Sequence, residues 1–276
     1  MELLIQFLLR LSFGLTAGMA ITSSRKVTSG YFRNHLYVTL GLATLAAMVS
    51  FSVAPEVFWY AVGAAVASYV ASVCWLYESP VAGKLALLVV LTCSVTGALD
   101  FPARASKGEK DLSSMGASQE AAKKNSAQTQ LDRSESVSVL LKRIGTCSSG
   151  LLLGMTMAAM LLGHWYLNSP TMELAPLRKL ILAMAGAVGL QAIVSSLGLW
   201  GELTYAPEIS TQWILFLLLR WLFGLVGVAI LSWMAWQTLK IPNTQSATGI
   251  LYVAVIGTFV GETMSLLLSS ESLFPL

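Results

Sequence analysis

The sequence predicts an all-α, polytopic membrane helix bundle of about eight transmembrane helices, and three observations carry that reading. Of 276 residues, 55% are hydrophobic and 11% charged, against roughly 25% charged in an average soluble domain. The mean hydropathy is +0.70. The apolar residues fall in long blocks of about the 20 residues that cross a hydrocarbon layer of ~30 Å at ~1.5 Å per residue. The bilayer is the solvent this composition fits. A net charge of +3, scattered along the chain, lacks the clustered basic face of a nucleic-acid binder.

The blocks are 3–22, 36–54, 58–77, 83–99, 145–166, 179–200, 211–238 and 248–268. The fourth is short and starts beside Pro80 and Gly83, so a tilted or partly buried helix is the alternative there. Residues 101–138 are rich in Ser, Ala, Lys, Gln and Glu and cannot build a core, which predicts a flexible polar linker. The chain divides into a first four-helix half, 1–100, the linker, 101–138, and a second four-helix half, 139–276. The first block lacks a basic n-region and a cleavage site, which predicts a retained helix rather than a cleaved signal.

Orientation follows from basic residues in short loops. Arg25, Lys26, Arg33, Lys84, Arg178, Lys179 and Lys240 share one side, whereas Glu2, Glu56, Glu202, Glu208 and Glu271 occupy the other. The first side is therefore expected to be cytoplasmic, with both termini outside, in the cytoplasmic membrane if the chain is bacterial.

The stretch LLRLSFGL at residues 8–15 returns as LLRWLFGL at 218–225, with six of eight positions identical. The tripeptide LYV opens both the second block, at Leu36, and the last, at Leu251. Together the matches predict a parallel internal repeat relating helices 1–2 to helices 7–8. Each long copy sets an arginine inside an apolar run. Arg10 and Arg220 lie at the same depth, ~13 Å from the same surface, and Glu262, in a helix running the other way, lies ~9 Å from it. An unpaired charge at such depth costs about 2.5–3.5 kcal/mol even on a lenient scale, so each should face the bundle interior and find a partner.

Glu262 is expected to pair with one arginine. Ala47 occupies the position equivalent to Glu262 in the other copy, which leaves two arginines for one acid. The surplus guanidinium then looks to backbone carbonyls, Gln191, Asp100, water, or an anionic or carbonyl-bearing ligand suited to its forked geometry. Snorkelling of one arginine to the headgroups is the purely structural alternative.

His35 and His164 fall at one interface and are the candidate metal or haem ligands. Their neighbours Tyr31, Phe32, Tyr37, Trp165 and Tyr166 make an interfacial aromatic belt, in which a histidine is an ordinary resident. Cys74, Cys93 and Cys147 lack CxxC spacing and read as small apolar residues. GLTAG at 14–18, GLLLG at 150–154 and GTFVG at 257–261 supply the small-residue spacing that lets helices approach closely. Ser246 or Thr248 is expected to cap the last helix.

The chain has no nucleotide-binding, nucleophile-elbow, zinc-protease or haem-attachment motif, so it is read as not an enzyme on its own and no cofactor is required. Three functions stay open. One is binding or transport of a small anionic or carbonyl-bearing amphiphile, with Arg10, Arg220, Glu262 and Gln191 as the ligand-binding set. Another is a membrane subunit of a redox complex, with a quinone at the same layer and partner subunits carrying the electrons. Two groups of four helices resemble, in architecture, quinol-oxidising anchor subunits of the polysulfide-reductase type. The last is a structural or assembly protein whose charges only lock the bundle.

Overall fold

In the computed structural model of the chain, the structure describes residues 1–100, 121–169, 172–205, 210–241, 243–272 and 274–276; the side chains of 121–136, Tyr205 and Glu271 are not among those described. Among the described residues there are eight membrane-length helices and no strand. They are α1 (Glu2–Ile21), α2 (Ser29–Val53), α3 (Pro55–Leu76), α4 (Pro80–Leu99), α5 (Ala121–Asn168), α6 (Ala175–Tyr205), α7 (Thr211–Lys240) and α8 (Thr244–Glu271). Eight apolar helices of this length and composition make the chain a multi-pass integral membrane protein.

Local chemistry explains the helix starts. Pro55 and Pro80 open α3 and α4 at positions where a missing N–H costs nothing. The Ser210 hydroxyl caps α7 by accepting from the Trp213 N–H at 3.1 Å. The cap of α8 is the Asn243 side chain, which accepts from the Ser246 N–H at 3.0 Å, rather than Ser246 or Thr248. Asparagine ranks with serine as an N-cap and stands just before the first helical turn. Between α3 and α4 the chain reverses through Glu78, a non-glycine residue at φ 52°, while the Ser79 N–H reaches back to the Cys74 carbonyl at 3.0 Å. That bond satisfies an otherwise orphaned carbonyl at the end of α3.

Several elements outrun their apolar blocks. The span of α5 begins at Val137, so Lys142 and Arg143 lie inside a membrane helix. Its helical backbone extends back to Ala121, into the stretch read as linker; residues 101–120 of that stretch lie outside the described residues, as does Glu208. The fourth span is a full helix of 20 residues. α2 starts at Ser29, which moves His35 from the edge of the helix into its body.

In a bilayer the tails are as apolar as leucine, so close packing rather than burial from water holds helices together. The tightest packing is between α1 and α5. A Cβ on Gly14 would stand 1.8 Å from the Gly150 carbonyl oxygen, and one on Gly18 2.5 Å from the Ala158 Cβ. The second is between α7 and α8, where a Cβ on Gly224 would lie 2.6 Å from the Gly261 Cα. All three glycine pairs singled out in the sequence sit at helix contacts, since Gly257 also faces the Phe223 carbonyl.

Many buried hydroxyls return their protons to carbonyls one turn back, as Thr39 does to His35 and Ser68 to Ala64, which satisfies these donors within their own helix. At the basic face Arg178 donates to the Leu239 carbonyl at 2.8 Å and Lys179 to the Ile21 carbonyl at 3.3 Å. These cations close the negative ends of α7 and α1.

Candidate functional site

The two arginine copies each place a glycine one turn after the arginine, at Gly14 and Gly224. The glycine removes the side chain that would hold the neighbouring helix away, and the arginine then reaches that helix directly. Arg10 extends from α1 to α5 and α8; Arg220 extends from α7 to α8 and α6.

Arg10 is 9% exposed and Glu262 4% exposed. The Arg10 Nη1 donates to the Glu262 Oε1 at 2.6 Å, an ion pair joining α1 to α8. Nη1 also reaches the Ser149 hydroxyl at 3.1 Å, Nη2 the Thr146 hydroxyl at 3.2 Å, and Nε the Gln6 Oε1 at 3.2 Å. Phe7, one turn before Arg10, meets Phe259, one turn before Glu262, edge to face at 5.2 Å. The expected pairing of Glu262 with one arginine is present, and Arg10 is that arginine.

Arg220 is deeper, at 2% exposure, and its direct partners are neutral. Nη1 donates to the Gly261 carbonyl at 3.2 Å and Nη2 to the Ser195 hydroxyl at 2.9 Å. Its Nε is buried without a partner among the described residues. Gln191, expected as a direct partner of the surplus guanidinium, is one hydroxyl removed. Its Nε2 donates to the Ser195 oxygen at 3.4 Å, and its Oε1 accepts from the Ser148 hydroxyl. Of the other candidate partners, a backbone carbonyl is one that Arg220 uses, at Gly261, whereas Asp100 lies at the end of α4 without an ion pair to either arginine among the described residues.

The Arg10 and Arg220 networks meet twice, at Ser148 and Ser149 on α5 and at Gly261 and Glu262 on α8. They form one polar layer across the bundle. Arg220 begins an eight-residue π-helical stretch, Arg220–Gly227, a rare backbone that recurs at functional sites. It ends just past the Gly224 contact.

Above Arg10 opens a cavity of about 930 Å³. It is lined by the start of α1, the ends of α2 and α4, the first turns of the α5 span, the end of α8 and residues 275–276. Arg10, Thr146 and Gln191 reach it from below, and Glu2, Asp100, Lys142 and Arg143 line its sides. The segment after α8 folds back over this region: the Phe274 N–H donates to the Glu202 Oε2 at 3.1 Å, and the Ser265 hydroxyl to the Leu276 carbonyl at 2.5 Å. Lys142, Arg143, Thr146, Ser149 and Ser195 were not singled out in the sequence. The signal for the first two was their place at the head of an apolar block, masked by assigning them to no helix. The spacing of Lys142, Thr146 and Ser149, four and then three residues apart, puts them on one helix face.

His35 and His164 are held by separate partners. His35 is buried with its Nδ1 against the Tyr31 carbonyl in its own helix. The His164 Nδ1 meets the Tyr252 hydroxyl at 3.3 Å. Among the described residues no group of three or more His, Cys, Asp or Glu is arranged to hold a metal. Cys74, Cys93 and Cys147 are free and half-buried.

No protein-family model, curated protein or solved structure matches this chain.

Proposed function

We propose that this membrane protein binds a small anionic or carbonyl-bearing amphiphile, whose head enters the cavity above Arg10 while its chain stays among the apolar helix ends. The observation that carries the reading is the cavity itself, with a guanidinium at its floor and Lys142 and Arg143 in its wall. A cation set in a low-dielectric recess attracts an anion far more strongly than the same cation in water, and the fork of arginine suits carboxylate, phosphate and carbonyl oxygens.

The ion pair with Glu262 and the Gln6 carboxamide hold Arg10 in place, while other N–H groups of its guanidinium rest on the exchangeable hydroxyls of Ser149 and Thr146. Arg220, sealed behind Ser195 and Gln191, keeps a positive field under the floor. With the loop charges read as cytoplasmic on the Lys26 side, the cavity would face away from the cytoplasm. Transport would need the opposite face to open in turn.

A competing structural reading draws on one observation, the full set of partners around the Arg10 guanidinium. It leaves the cavity unexplained.

Thermal stability in neutral detergent separates them. Decyl phosphate should raise Tm by about 5 °C or more near saturation, and decyl maltoside should not. Lys142→Met should shrink the shift while leaving the starting Tm unchanged. Equal responses to both amphiphiles would sink the binding reading. A shift with a short-chain quinone and none with decyl phosphate would move the function to the redox-subunit reading.

A further inference from the structure

The cavity is lined by charges of both signs, and they are sorted by helix. The cations Lys142 and Arg143 come from α5, and Arg10 closes the floor; the acids Glu2 and Asp100 come from the start of α1 and the end of α4. On α5, Lys142, Thr146 and Ser149 follow one face, and the lower two already touch the Arg10 guanidinium at 3.2 and 3.1 Å. A phosphate placed beside Arg10 would thus find donors from Lys142 and Thr146 on one side and from Arg10 below.

A simple anion would satisfy those donors but bring no cation to the two carboxylates, Asp100 at an exposed helix end and the half-buried Glu2, that line the same recess. A head that also carries an ammonium meets both sets. Among the described residues that line the cavity, none is aromatic. A quaternary ammonium is recognised by aromatic faces, whereas a primary ammonium hydrogen-bonds to carboxylates.

We infer that the cavity takes a zwitterionic amphiphile with a primary-amine phosphodiester head, its phosphate against Arg10 and Lys142 and its ammonium facing Asp100 and Glu2. The assignment rests on the amphiphile-binding reading above and narrows its ligand to one class. Glu262 is already engaged by Arg10 and takes no part in selecting the amine.

The test compares three dioctanoyl lipids, phosphatidylethanolamine, phosphatidylcholine and phosphatidylglycerol, by native mass spectrometry of the purified full chain. The ethanolamine lipid should bind at least about tenfold tighter than the other two, the value of one charge-assisted hydrogen bond. Asp100→Asn, at an exposed helix end, should bring the three affinities within about twofold of one another, and Glu2→Gln should act in the same direction. Lys142→Met should weaken all three alike.

Phosphatidylglycerol binding as tightly as the ethanolamine lipid, or a preference that survives Asp100→Asn with Glu2→Gln, overturns the zwitterion assignment while leaving the amphiphile reading standing. No binding of any of the three overturns both. Phosphoethanolamine without chains should bind far more weakly; comparable affinity would assign a water-soluble zwitterion and overturn the inference.

Discussion

LLRLSFGL in α1 and LLRWLFGL in α7 share six of eight residues and live in different surroundings. In α1, 72% of the most apolar stretch is buried inside the bundle; in α7 the share is 22%. The α1 copy packs its glycine against α5 and hands its arginine an acid, two hydroxyls and a glutamine. The α7 copy packs its glycine against α8 and gives its arginine only a carbonyl and a hydroxyl. The same octapeptide thus yields one guanidinium at the floor of an open cavity and another sealed behind it. The motif encodes close approach plus a donor one turn earlier; what the donor does is set by the helix that approaches.

The difference can be broken most forcefully at the acid the two arginines flank. Glu262→Gln leaves two buried cations with neutral partners only, and should cost about 3–5 kcal/mol, read as lost folded yield or a large drop in Tm. Replacing the pair together, Arg10→Met with Glu262→Leu, should nearly restore stability, because an apolar pair of similar volume often serves as well.

The glycine contacts come next. Gly14→Ala sets a methyl where only 1.8 Å separates it from the Gly150 oxygen, and should cost about 1–3 kcal/mol or more in thermal unfolding. Gly224→Ala meets its neighbour at 2.6 Å and should cost less. Equal losses would contradict the asymmetry. Arg220→Met, by contrast, removes a cation without freeing an opposite charge. It should cost about 1–3 kcal/mol through the Ser195 and Gly261 groups it strands. Its effect on decyl phosphate affinity should be smaller than that of Lys142→Met. The smallest effect belongs to the basic face, where the exposed Lys26–Glu173 pair spans 2.7 Å. Lys26→Ala should change stability by less than about 1 kcal/mol, and high salt should erase the difference.

Much of this was legible in the chain. Eight apolar blocks match eight helices because length and hydropathy are all the bilayer asks of a span. The meeting of Arg10 with Glu262 followed from depth, since two helices of opposite direction bring fixed residue counts to one level. The cavity wall was not legible. Lys142 and Arg143 interrupt the hydropathy at the head of α5, and only the packed bundle shows that this helix continues past them. Gln191 was found for the right layer as one of several candidate partners, and it reaches Arg220 through Ser195, a one-residue hydroxyl relay that leaves no periodic trace. His35 was set at the start of its helix because the apolar block begins late; Arg33 and Asn34, just before it, hide a first turn and a half of helix that starts at Ser29. The matching octapeptides predict a repeat, but the unlike neighbours of α1 and α7 supply nothing further in its support.

The central claim is that a lipid-like head reaches Arg10 through the open cavity. Native mass spectrometry of the chain extracted in mild detergent tests it most directly, comparing the wild type with the charge-neutral Arg10→Met, Glu262→Leu double variant at matched stability. The account predicts a phosphate-headed lipid retained by the wild type and lost from the double variant. Equal retention by both, or none by either, would contradict it.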